Sequence, residues 1–74
     1  MAIDKYSGFY KSGGIILRAE KCDWPRWRNI IKFKKNDTGY RVIRSVITCN
    51  FLKKYYVKIN DQEAKELLNG YEEI

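Results

Sequence analysis

The longest alternation of apolar and polar positions in the chain covers residues 27–48, WRNIIKFKKNDTGYRVIRSVIT. Two segments rich in Ile, Val, Phe and Tyr flank Asp37-Thr38-Gly39, which predicts a β-hairpin closed by a three-residue loop with glycine last. That loop would set Asn36 opposite Tyr40, Phe33 opposite Ile43 and Ile31 opposite Ser45. Strand side chains alternate with period two, so Trp27, Ile31, Phe33, Ile43 and Ile47 share one face. The other face carries Arg28, Lys32, Lys34 and Arg44, with Lys32 directly across from Arg44. Like charges in that position weaken a sheet, so folding alone does not ask for them.

Upstream, YSGFYK (6–11) and IILRAEKC (15–22) flank Ser12-Gly13-Gly14. Two glycines between strand-like runs predict a second hairpin, with a mobile N-terminal arm as the alternative. Ile15, Leu17 and Ala19 fall in one phase and Arg18 and Glu20 in the other, the pattern of a half-buried strand. Asp23-Trp24-Pro25 ends it, because proline gives up its donor and restricts the residue before it. Residues 49–52 read as a connector whose Phe51 and Leu52 plug the core edge. KKYYVKI (53–59) alternates again, with Tyr55, Val57 and Ile59 in one phase and Lys54, Tyr56 and Lys58 in the other.

A helix closes the chain. Asn60 is a good N-cap and Glu63 completes a capping-box-like pattern. Ile59 and Ala64 occupy the staple positions, and Asp61 and Glu63 sit where the helix dipole favours anions. Ala64, Leu67, Leu68 and Tyr71 make one apolar stripe, and Asn69-Gly70 ends it. The expected fold class is α+β: a small antiparallel sheet of four or five strands, with one C-terminal helix packed on one face. The opposite face would stay open. One domain covers 1–74, with 1–5 disordered.

Charge sharpens this picture. The 74 residues carry a formal net charge of +6 and a pI near 9.4. Residues 1–59 hold fourteen Lys and Arg against four Asp and Glu, while residues 60–74 hold one against five. The basic excess therefore belongs to the strands and loops. Such a balance favours an anionic partner. No histidine is present, and Cys22 and Cys49 lie far apart, so neither a structural zinc site nor any other cofactor is expected. Reduced thiols, no secretion signal and no apolar run near 20 residues point to a cytoplasmic protein that does not enter a membrane.

Catalysis finds no support, because the usual neutral-pH acid/base is missing and no constellation of nucleophile and base stands out. A small domain does carry charge for solubility alone. Cations in one strand phase, with Tyr56 between Lys54 and Lys58, go further: bases stack on exposed aromatics while flanking cations follow phosphates. The expected function is non-enzymatic binding of DNA or RNA. Its candidate residues are Arg28, Lys32, Lys34, Arg44, Lys54, Tyr56 and Lys58. The alternative is a small phage- or plasmid-type inhibitor or adaptor that docks its basic face on an acidic or nucleic-acid-binding protein surface.

Overall fold

The computed structural model describes residues 5–37 and 39–69. Five strands and two helices follow in the order β1 (Gly8–Ser12), β2 (Ile15–Lys21), β3 (Trp27–Asn36), β4 (Gly39–Thr48), α1 (Cys49–Tyr55), β5 (Val57–Ile59) and α2 (Asp61–Leu67). The strands form one antiparallel sheet in the order β4-β3-β2-β1-β5. Strands β1 to β4 make a meander, and α1 carries the chain across the sheet to lay β5 against β1. The fold is the small α+β class that the sequence predicts. The expected disorder of 1–5 and the Asn69-Gly70 cap with Tyr71 fall wholly or partly outside the described residues.

Both glycine-centred hairpins form. Gly13 turns the first with φ +57°, a left-handed conformation that glycine adopts without a steric penalty. The second differs from its predicted geometry. Gly39 is not a loop residue but the first residue of β4, paired with Asn36 at φ +135°. Strand β3 thus ends at Asn36 directly across from Gly39, and Phe33 faces Val42, Ile31 faces Arg44 and Lys32 faces Ile43. A shift of one residue exchanges the two faces of a strand. Arg44 therefore leaves the side that holds Lys32, and Ile43 joins it.

Helix α2 packs where expected. Asn60 Oδ1 accepts from the Glu63 amide at 2.7 Å, and Asp61 and Glu63 occupy the first turn. Ala64 and Leu68 bury against Phe9, Ile16, Phe33 and Ile59. Leu67, expected in this stripe, is instead exposed, while its carbonyl accepts from Tyr40 Oη at 2.9 Å.

The opposite face is not left open. Residues 53–59 were expected to form a strand, yet Cys49–Tyr55 is helical and only Val57–Ile59 is extended. Thr48 caps α1, its hydroxyl accepting from the Phe51 amide at 3.2 Å. Cys49, Leu52 and Tyr56 follow i, i+3, i+7 spacing, and that stripe outweighs the two-residue alternation of KKYY. Leu52 is fully buried on Tyr10, Leu17, Ala19, Ile30 and Ile47. The sheet is thus covered on both faces. Adjacent apolar pairs in the central strands, Phe9-Tyr10, Ile16-Leu17 and Ile30-Ile31, supply one residue to each side. Among the described residues, no helix is long and apolar enough to cross a membrane.

Candidate functional site

Strand register sorts the charges. The face under α2 bears Lys11, Arg18, Lys35 and Arg44, by alternation from Phe9, Ile16, Phe33 and Val42. Two of these cations have carboxylate partners: Lys11 Nζ lies 2.8 Å from Glu63 Oε2, and Arg18 Nη2 lies 3.0 Å from Glu20 Oε1. The face under α1 bears Lys21, Arg28, Lys32, Lys34, Arg41 and Lys58, and its strand positions include no Asp or Glu. Helix α1 adds Lys53 and Lys54, both exposed, and itself holds no acidic residue.

The seven candidate residues fare differently within this frame. Lys32 and Lys34 share the α1 side of β3, where Lys34 stands directly across from Arg41. Lys58 shares the same side at the far edge of the sheet. Its Nζ donates to the Lys5 carbonyl at 2.8 Å, which ties down the segment entering β1. Lys54 joins the surface from α1 rather than from a strand, lying 5.5 Å over the Tyr55 ring. Arg44 projects to the other face. The Lys32–Arg44 juxtaposition is replaced by the triad Lys32, Lys34 and Arg41.

Arg28 faces the right way but is 7% exposed. Its Nη1 donates to the carbonyls of Pro25 and Trp27, at 3.0 and 2.6 Å, and its guanidinium lies 5.5 Å from the Tyr6 ring. Its work is to hold the β2–β3 connection rather than to meet a ligand. Tyr56, expected as the exposed stacking residue, is half-buried against the Leu52 cluster. The aromatic next to it takes the outward position.

Four aromatics are exposed near these cations: Trp24 at 59%, Trp27 at 39%, Phe51 at 49% and Tyr55 at 53%. Trp24 and Trp27 meet edge-on with ring centroids 6.4 Å apart, on the connection that Arg28 clamps. Phe51 and Tyr55 are one helical turn apart on α1, with centroids at 4.5 Å. The two groups are not separate patches. Trp27, Phe51 and Lys32 line one cleft of about 340 Å³ between α1 and the β3–β4 edge. The sequence signal for Phe51 and Tyr55 was their i, i+4 spacing along one flank of α1 beside the buried Leu52, which reading the segment as a strand concealed. Comparison of the chain with protein-family models, curated proteins and solved structures finds no match.

Proposed function

We propose that this protein is a non-enzymatic nucleic-acid-binding protein of the cytoplasm, using the α1 side of the sheet. The observation that carries this reading is the unequal neutralisation of the two faces. On the α2 side, Lys11 and Arg18 are matched by Glu63 and Glu20. On the α1 side, Lys32, Lys34 and Arg41 neighbour one another on β3 and β4, Lys53 and Lys54 add charge from α1, and none of these strand and α1 positions holds a carboxylate. Placing Lys34 across from Arg41 costs sheet stability, so solubility is a weak reason for it. A phosphate backbone supplies the missing anions, and Arg41 offers a bidentate donor to one of them. Two free cysteines fit a reducing compartment.

The test is a fluorescence-anisotropy titration with random-sequence DNA and RNA, single- and double-stranded, at low salt. Binding at or below about 10 µM is expected, weakening linearly on a log–log salt plot. Lys32→Glu combined with Lys34→Glu should remove it while the far-UV circular dichroism spectrum is kept. Absence of binding to every nucleic acid rejects the proposal. Capture of one acidic protein, unaffected by nuclease, then marks the surface as a protein-docking face.

A further inference from the structure

We infer that the nucleic acid taken by this surface is single-stranded, its unpaired bases lying on Phe51, Tyr55 and Trp27 while its phosphates follow Lys32, Lys34 and Arg41. This rests on the nucleic-acid reading above and narrows it to one substrate class.

A surface that recognises only a phosphate backbone needs cations and no aromatic rings. This one exposes both. Phe51 and Tyr55 could each have been polar without loss to the core, since Leu52 and Cys49 bury the inner side of α1. The rings instead stand outward with Lys53 and Lys54 on the same short helix. In a duplex the base faces are already stacked on one another and reach no side chain. In a single strand they are free, and every base offers one. The cleft of about 340 Å³ lies at the small end of ligand sites, which run from about 300 to 1,000 Å³. Trp27, Phe51 and the apolar edge residue Val46 line it together with Lys32, the one cation among its lining residues. An open, mostly apolar cleft lined by a single cation suits a planar base joined to one phosphate. Along β3 and β4 the cations then continue from Lys32 to Lys34 and Arg41, giving the backbone a path away from the cleft.

The backbone that carries the two tryptophans is tied down by internal bonds. Arg28 fixes the carbonyls of Pro25 and Trp27, and the Cys49 amide donates to the Arg26 carbonyl at 2.9 Å, joining the Trp loop to the start of α1. A loop backbone held in this way reduces the ordering cost of binding.

The chain contains two tryptophans, and both lie in this region, so intrinsic fluorescence reports on the site directly. The experiment titrates the full chain with a 12-nucleotide oligothymidine, a 12-nucleotide oligouridine and a duplex of matched length, following tryptophan emission and anisotropy together. Single strands should quench the emission and bind more tightly than the duplex. Phe51→Ala should weaken single-strand binding roughly five- to 150-fold and leave duplex binding within about twofold, because the phosphate contacts that serve the duplex are untouched. Tyr55→Ala is the second variant if Phe51→Ala does not fold, and quenching of the unaltered protein needs no variant at all. Equal binding of single strands and duplex without quenching overturns this inference but leaves the proposed function standing. Failure to bind any of the three overturns both.

Discussion

Lys34 stands directly across from Arg41 on the β3–β4 ladder, and Lys32 lies diagonal to the same arginine. Directly opposed strand residues have Cβ atoms about 5 Å apart, where like charges repel. Lys34→Glu turns the repulsive pair into an attractive one. It should raise stability by about 0.2–1 kcal/mol in urea unfolding while weakening nucleic-acid binding. Stability and binding moving in opposite directions from one substitution would mark a site kept for function. A loss of stability would mean that Lys34 has a structural partner on its face.

The buried guanidinium of Arg28 predicts the reverse behaviour. Its two carbonyl bonds hold the connection that carries Trp24 and Trp27. Hydrogen bonds to a charged group are worth about 1.5–3 kcal/mol, so Arg28→Ala should cost about 2–4 kcal/mol once lost packing is included. Arg28→Lys should rescue little of this, since an ammonium cannot reproduce the planar fork. Full rescue by lysine in a thermal melt would show that charge alone is what matters there.

How much of this architecture the sequence disclosed depends on where the apolar residues sat in phase. The C-terminal helix was legible because Asn60, Glu63, Ala64 and Leu68 agree on one frame. The first hairpin was legible because two glycines leave few alternatives. Strand β4 was not. Tyr40, Val42, Ile43, Val46 and Ile47 occupy both parities, so either register buries a comparable set, and only the turn decides. The Asp37-Thr38-Gly39 sequence supports a three-residue loop, and the one-residue difference from the observed pairing of Asn36 with Gly39 puts Arg44 on the other side. The α1 segment failed differently. Lys53-Lys54-Tyr55-Tyr56 has no apolar period of its own, and the helix is set by Leu52 and the Thr48 cap just before it. The basic surface survived both errors because Lys32, Lys34 and Lys54 remain on the α1 side.

The Thr48 cap provides a direct check on α1. Its hydroxyl satisfies the Phe51 amide, one of the donors that a helix start leaves without a partner. Thr48→Ala should cost about 1 kcal/mol, and Thr48→Asp or Thr48→Ser should restore most of it. A β-branched residue without an oxygen, Thr48→Val, separates the two roles. It keeps the strand propensity of the last β4 position but loses the cap. Equal stability of the Thr and Val proteins in urea would argue against a helix beginning at Cys49.

Two glycines at the hairpins should respond unequally. Gly13, at φ +57°, lies in the left-handed region that Asn also tolerates, so Gly13→Asn should be close to neutral. Gly39, at φ +135°, lies where other residues are rarely found, although no atom lies within 4 Å of an added Cβ. Gly39→Ala and Gly39→Asn should each cost about 1–3 kcal/mol through backbone strain alone. If Gly39→Asn proves neutral by chemical denaturation, the turn has relaxed to the three-residue form, and the register with it.

Arg41 and Arg44 test the register from the side of function. They are three residues apart on one edge strand, are both exposed, and project to opposite faces. Arg41→Gln and Arg44→Gln remove the same charge, so any effect of net charge on solubility, diffusion or long-range attraction is matched between them. Only position differs. If single-stranded nucleic acid lies along the α1 side, Arg41→Gln should lower the log–log salt slope by about 0.7, the release expected from one phosphate contact on a single strand. Arg44→Gln, on the α2 side, should leave the slope unchanged. The opposite result, a slope that responds to Arg44 and ignores Arg41, would put the ligand on the α2 side. Equal small changes in both would mean that no defined face is used and that attraction to the chain as a whole accounts for binding.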